Sequence, residues 1–250
     1  MERLNLRGPA VVWRYGTVTA LIDESPHAKT IELDVPGWPG HAAGQHVDLR
    51  LTADDGYQTQ RSYSIASAPE DSIFALTVER IDDGEVSPYL TEELRAGDEL
   101  ELRGPVGGHF TWRVDDGGPL LLIAGGSGLV PLMAMLRHRA ARSSELDARL
   151  LVSARSLDDV LYRDELETRA ATDGFLLHRT LTREPPVGWT GFARRIDAEM
   201  LRTVGPVPTA RPRIFVCGPT AFVERADNLL IELGHDPTTI RSERFGPTGG

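Results

Sequence analysis

The stretch Leu120-Leu121-Leu122-Ile123-Ala124-Gly125-Gly126-Ser127-Gly128-Leu129-Val130-Pro131 decides the fold. The unbroken apolar run Leu120 to Ala124 reads as a strand buried on both faces, as in a parallel sheet. Glycines then let the backbone turn sharply and approach a ligand closely. Beyond the turn, Leu132, Met133, Leu136 and Ala140 recur at helical spacing. The start of such a helix offers free N–H groups and a positive dipole end, which suit a phosphate. A plain tight strand–helix turn is the alternative reading. The spacing Gly126-x-Gly128-x-x-Pro131 departs from the dinucleotide fingerprint, whose last position is Gly or Ala.

Downstream, strand and helix patterns alternate. Strands are expected at Ala148–Ser153, Phe175–Leu181, Arg213–Cys217 and Thr239–Glu243, and helices at Asp158–Ala170, Asp197–Val204 and Ala221–Leu233. This alternation predicts an α/β, Rossmann-like parallel sheet with helices on both faces, spanning residues 119–250. Upstream of the linker Val114–Pro119 the rhythm differs. Strands are expected at Val11–Ile22, Thr30–Val35, His46–Leu51, Arg61–Ile65, Ile73–Val78 and Glu99–Leu102, with one helical interruption near Ser87–Leu94. Short strands with turn-rich spacing predict a six-stranded antiparallel β-barrel over residues 1–114. The chain therefore reads as two domains.

Composition narrows the function. The 250 residues carry 27 Lys+Arg and 37 Asp+Glu, a formal net charge of −10, which disfavours nonspecific binding to nucleic acid or anionic membrane. Lys29 is the only lysine. No apolar run is long enough to span a bilayer, and Met1–Gly8 shows no secretory leader, so a cytoplasmic location is expected. The single cysteine, Cys217, excludes an internal disulfide, a Cys-ligated iron–sulfur cluster and a Cys-rich zinc site on this chain.

Several shorter segments have chemistry to offer. Phe215-Val216-Cys217-Gly218-Pro219 ends an expected buried strand, and ligands of open parallel sheets sit beyond such ends. Cys217 would face that ligand, or else serve as a small buried hydrophobe. In Arg61-Ser62-Tyr63-Ser64-Ile65 an arginine can hold a diphosphate, and a tyrosine two residues on shares its strand face and can stack on a flat ring. An ordinary exposed strand is the alternative. Gly84-Glu85-Val86-Ser87 precedes the helical interruption, with Ser87 as an N-cap or as part of a second anion-binding helix start. The tail Arg241-Ser242-Glu243-Arg244-Phe245-Gly246 places a large aromatic at a strand end, where it would close the core or cover a ligand.

Taken in order, Gly44-Gln45, Arg61-x-Tyr63-Ser64, Gly84-x-x-Ser87, Gly104-Pro105-x-Gly107, Gly126-x-Gly128-x-x-Pro131, Cys217-Gly218-Pro219 and Glu243-x-Phe245 resemble the ferredoxin–NADP reductase family over nearly the whole chain. The resemblance implies a flavin-binding barrel followed by a nicotinamide-dinucleotide domain, with no iron–sulfur domain. It implies that Arg61 contacts the flavin diphosphate, Tyr63 stacks on the isoalloxazine and Ser64 bonds near its N5. The helix starting at Ser87 would receive the flavin phosphates, and Ile65, Val78, Gly84 and Val86 would complete the flavin site. Gly125, Gly126, Ser127 and Gly128 would carry the nicotinamide cofactor's pyrophosphate, with Gly218 and Pro219 beside them. Cys217 and Glu243 would flank the nicotinamide, and Phe245 would cover the second flavin face. Here the residue is Phe and not the terminal Tyr of plant-type enzymes.

The implied cofactors are FAD, with FMN as the alternative, and NADPH in preference to NADH. That preference rests on Arg155 and Arg163, which resemble the Arg…Tyr-Arg stretch of NADPH-using diflavin reductases; they would read the 2′-phosphate, or stand as solvated surface charges. The implied activity is hydride transfer from NAD(P)H to flavin N5, then electron transfer to a separate protein such as a ferredoxin or an oxygenase component. Against a net charge of −10, docking of an acidic acceptor would need a local basic patch, for which Arg137, His138, Arg139 and Arg142 are candidates; an ordinary polar helix face is the alternative reading. A free flavin or quinone reductase, and a noncatalytic electron-relay or regulatory subunit, are the competing readings.

Overall fold

The computed structural model describes residues 12–246. Val11, where the first expected strand begins, and Met1–Gly8 lie outside the described residues. Strands β1 (Trp13–Ser25), β2 (Ala28–Asp34), β3 (His46–Thr52), β4 (Gln58–Ser64), β5 (Phe74–Glu79) and β6 (Glu99–Val106) form one sheet in the order β4-β3-β6-β1-β2-β5. Every pairing in it is antiparallel. Its inward positions, among them Ile31, Leu33, Val47, Leu49, Leu76, Val78, Leu100 and Leu102, make one apolar core. The sheet curls until its two end strands touch at a bridge between Ile65 and Leu76, beside the bond from Ala66 N–H to Ala75 O.

The second half is a parallel sheet of β7 (Leu120–Gly125), β8 (Ala148–Ser156), β9 (Leu176–Glu184), β10 (Arg213–Pro219) and β11 (Ile240–Phe245), ordered β11-β10-β7-β8-β9. Strand alternation sends Leu120, Leu122, Leu150 and Phe215 to one face and Leu121, Ile123, Leu151 and Ile214 to the other. Helices α1 (Leu129–Ala141) and α2 (Arg163–Thr172) cover the first face; α3 (Ala198–Val204) and α4 (Thr220–Glu232) cover the second. Helix α1 is apolar nearly all round because it is sandwiched. Its outer side receives Ala43, Ala66, Ala75, Phe110 and Trp112 from the barrel half, so one core cluster runs through both halves.

Three local readings need correction. Helix α2 starts at Arg163 and not at Asp158. Tyr162 sits in the left-handed region (φ 53°, ψ 30°), which a continuing helix cannot pass, and the Asp159 carboxylate folds the preceding loop by accepting from the backbone N–H and hydroxyl of Ser156. The interruption near Ser87–Leu94 is a single turn wound as a π-helix over Tyr89–Glu93. Ser87 does not cap it; its hydroxyl accepts from the Ile81 N–H at 3.0 Å and so staples the preceding loop. Asp197 is the cap of α3 and not its first residue, accepting from Met200 N–H at 2.8 Å. Among the described residues no helix is long and apolar enough to cross a membrane.

Candidate active site

The Gly125–Gly128 turn leaves β7 at the sheet's C-terminal edge. Gly126 takes φ 54°, a left-handed backbone that favours glycine. A side chain on Gly128 would begin 2.1 Å from the Cys217 carbonyl oxygen, so the turn lies directly on the end of β10. Gly126–Gly128 winds as one 3-10 turn straight into α1, whose first N–H, on Leu129, donates to Gly126 O and Ser127 O; no side chain caps the start of that turn and no acidic residue stands in it, which leaves the turn's own N–H groups to an incoming anion. Ser127 is half-buried at the crest. This donor set fits a pyrophosphate.

Next to the turn, β10 and β11 pair in parallel with Cys217 opposite Glu243, Gly218 opposite Arg244 and Pro219 opposite Phe245. Cys217 is buried; loss of water and the neighbouring Glu243 charge push its thiol up, so it stays neutral. Burial lifts the Glu243 carboxyl to about 7. Phe245 is exposed at the strand end. Arg241 fastens β11 to the barrel half, donating to Thr111 O at 2.6 Å with its guanidinium over the Phe215 ring.

The barrel contributes a slot. Beyond the Ile65–Leu76 bridge β4 and β5 part, so the outer edge of β4 from Gln58 to Tyr63 has no ladder partner. Tyr63 pairs with Val47 and packs on the barrel core; burial pushes its phenol to about 12, keeping the ring neutral. Ser64 pairs with His46. Val78 and Val86 are buried in the same core, and the loop from Gly84 to Ser87 comes over the slot. There Glu85 accepts from Tyr57 Oη at 3.3 Å and from Thr59 Oγ1 at 3.1 Å, and stands 3.9 Å from the Arg61 guanidinium. An exposed arginine, a flat neutral ring and an unpaired strand edge fit a flavin with its diphosphate. The two halves approach at β5, where Glu79 lies 3.8 Å from the point at which a side chain on Gly126 would begin.

Other expected residues fare differently. Arg155 is exposed at the end of β8. Arg163 is held between Asp158 at 3.5 Å and Asp164 at 3.6 Å. The expected basic patch on α1 does not form. Arg137 is committed to Glu165 and to Ala66 O, His138 to Glu70, and Arg139 to the carbonyls of Leu146 and Asp173; only Arg142 of the four is exposed. Arg137, His138 and Arg139 tie elements together and are not available to a partner.

One polar group was missed from the sequence. Tyr162 is buried between the halves, its hydroxyl 2.5 Å from Thr77 Oγ1, and Thr77 pairs with Thr30 across β5 and β2. The signal was present: Thr30 and Thr77 occupy positions in apolar strands where neither hydroxyl would find water. A cavity of about 800 Å³ opens beside this group, lined by Glu24, Thr30, Asp71, Arg137, Tyr162 and Arg163 among others. It is separate from the slot and the glycine turn.

Comparison with known proteins identifies the two halves of the chain. The sequence profile of the oxidoreductase FAD-binding domain matches residues 16–112, and that of the oxidoreductase NAD-binding domain matches residues 122–228. A glycine betaine monooxygenase reductase subunit of Pseudomonas aeruginosa is 36% identical over 82% of this chain; the chain spans 56% of that relative's length. NADH-cytochrome b5 reductase 1 of Aspergillus terreus is 33% identical, over 81% of this chain and 69% of its own. The crystal structure of an Amycolatopsis cytochrome P450 reductase superposes with a TM-score of 0.83 at 28% identity, covering 96% of this chain and 71% of the other. The two matched domains, in this order and on these two sheets, place the chain in the ferredoxin–NADP reductase-like family of FAD- and NAD-binding oxidoreductases.

Proposed function

We propose that this chain is an FAD-dependent NAD(P)H oxidoreductase that hands electrons to a redox protein on another chain. The observation that carries this reading is the pairing of Cys217 with Glu243 directly against the Gly125–Gly128 turn. A buried neutral thiol and a titrating carboxyl there flank the place where a nicotinamide would end, while the turn receives its pyrophosphate. In this reading residues 1–114 bind the flavin and residues 119–250 the dinucleotide. Bound flavin would supply the redox chemistry, taking hydride at N5 and releasing electrons singly. The chain's own work is placement: Arg61 on the diphosphate, Tyr63 and Phe245 on the two ring faces, and Ser64 at the reacting edge.

Both dinucleotides are expected to reduce the flavin. The preference for NADPH now rests on Arg155 alone, because Arg163 already answers two carboxylates. One exposed guanidinium contributes about 1 kcal/mol at most, so the preference stays within about tenfold. The reductase subunits among its relatives support the assignment of a protein acceptor, either an oxygenase component or a small electron carrier. A free-flavin reductase is the second reading, favoured by Glu85, whose carboxylate faces Arg61 where the flavin phosphates would lie.

Anaerobic titration of the purified protein with NADPH and then NADH tests the proposal. Bleaching of a bound flavin spectrum is expected. Flavin lost on gel filtration but reduced when added back would favour the second reading. A protein that takes up flavin and is bleached by neither dinucleotide would be a relay or regulatory subunit.

A further inference from the structure

The buried polar group between the halves has a direction. Thr30 Oγ1 donates to Glu24 Oε1 at 2.7 Å, which uses its only proton. The 2.7 Å contact between Thr77 and Thr30 must then be donated by Thr77, and the Tyr162 hydroxyl must donate to Thr77. The second Glu24 oxygen accepts the Tyr162 backbone N–H at 3.3 Å. The four residues close a ring in which every hydroxyl proton points the same way round and the chain ends on a carboxylate. Each member strengthens the next, and removing one leaves buried partners unsatisfied. The Arg137 guanidinium lies 5.0 Å over the Tyr162 ring, and is itself anchored to Ala66 O and Glu165.

The ring's position gives it a task. Glu24, Thr30 and Thr77 belong to the barrel, on β1, β2 and β5. Tyr162 belongs to the parallel half, at the start of α2, just after the loop that leaves β8. Strand β5 meets the other half three times on one face, through Ala75 in the core cluster against α1, through Thr77 at Tyr162 and through Glu79 beside Gly126. Val78, between Thr77 and Glu79, points the other way, into the barrel core on which Tyr63 of the proposed flavin slot packs. A shift of β5 relative to α2 would therefore move the flavin slot relative to the glycine turn.

We propose that Tyr162, through the ring with Thr77, Thr30 and Glu24, is a positioning residue that sets the distance between the flavin and nicotinamide sites. The inference rests on the proposed oxidoreductase activity. Hydride transfer needs the reacting atoms roughly 3–3.5 Å apart, and a displacement of about 1 Å can cost on the order of 100-fold. Dinucleotide affinity, by contrast, comes from the turn and the end of β8, all within one half.

Thr77→Val removes the central hydroxyl at nearly constant shape, and Thr77→Ser keeps it. Rapid-mixing flavin reduction is measured over a range of NADH and NADPH concentrations, with hydrogen exchange of the flavin-free protein over residues 157–166. Thr77→Val is expected to lower the limiting reduction rate about tenfold with the dinucleotide dissociation constant within twofold of wild type. Exchange in the 157–166 segment should quicken at least tenfold. Thr77→Ser should stay within twofold on all three, and Tyr162→Phe should follow Thr77→Val. A limiting rate unchanged in Thr77→Val overturns the proposal, as does a change confined to the dissociation constant or an equal loss in Thr77→Ser. A wild-type flavoprotein that neither dinucleotide reduces overturns the oxidoreductase reading itself; exchange at 157–166 then still reports whether the ring joins the halves.

Discussion

Glu243 stands opposite Cys217 in the β10–β11 pairing, a carboxyl that titrates near neutrality beside a thiol that does not titrate in the working range. The pair therefore carries one variable charge, at the edge where the nicotinamide is proposed to lie. Hydride donation leaves positive charge on the nicotinamide ring, which an ionised Glu243 would stabilise.

The rate of flavin reduction is accordingly expected to rise with pH through about 7, the value to which burial lifts Glu243. Glu243→Gln should flatten that profile, and Glu243→Ala should slow reduction about tenfold while the flavin stays bound. Rapid-mixing kinetics between pH 5.5 and pH 8.5 decide it; a wild-type profile with no inflection near 7 removes Glu243 from the mechanism.

The same group makes stability depend on pH in a fixed direction. Its folded value lies above the ordinary 4.5, so the folded state holds the proton more tightly than the unfolded chain. Its contribution is fully present below about 4.5 and is lost as pH rises through about 7. Melting temperatures of the flavin-free protein should show Glu243→Gln gaining on wild type across that window, and a constant difference would count against the assignment.

Gly128→Ala places a methyl group 2.1 Å from a backbone oxygen of β10, and neither atom sits on a side chain that can swing away. Overpacking of this kind costs about 1–3 kcal/mol, and the expectation here is the upper end. Denaturant midpoints report the stability loss, and dinucleotide titration should show binding weakened at least tenfold.

Arg155→Ala is expected to weaken NADPH about fivefold and NADH less than twofold. Arg163→Ala should change either by less than twofold, since Asp158 and Asp164 already engage that guanidinium. Binding to the oxidised protein, followed by flavin absorbance, separates the two variants; equal losses for both dinucleotides in Arg155→Ala would remove it as a phosphate reader.

Glu85→Gln should tighten flavin binding by up to about fivefold at low salt, because it removes the carboxylate that faces Arg61. Arg61→Ala should weaken it. Quenching of flavin fluorescence on titration with the flavin-free protein gives both constants, and a gain that persists at 1 M salt would point to something other than charge.

The parallel half was legible in the sequence because its strands are buried on both faces and show as apolar runs: β7 and β10 need only Leu120–Ala124 and Ile214–Cys217 to be seen. The slot strand β4 is harder to see, since Gln58-Thr59-Gln60 has no buried face and carries no alternating pattern. The start of α2 is hidden from the sequence because a left-handed Tyr162 leaves no compositional mark. The basic patch failed for a related reason. Sequence shows that Arg137, His138 and Arg139 are charged or ionisable, but not that Ala66, Glu70 and Asp173 arrive from elsewhere in the chain to meet them. The ring through Glu24, Thr30, Thr77 and Tyr162 joins residues up to 138 positions apart, which no local pattern encodes.

The strand order has a consequence for how the protein is made. All six barrel strands are complete by Val106, yet Tyr162 and Glu243 leave the ribosome later, and β11, at the sheet's rim, follows the other four strands of its sheet. At ordinary translation speed the interval from Val106 to Phe245 is on the order of ten seconds. A barrel that folds as it emerges holds its Thr30 and Thr77 hydroxyls and its Ala43, Ala66 and Ala75 face in water for that time. Flavin captured early would meet the proposed slot with one wall, and the proposed second wall, Phe245, would arrive only with β11.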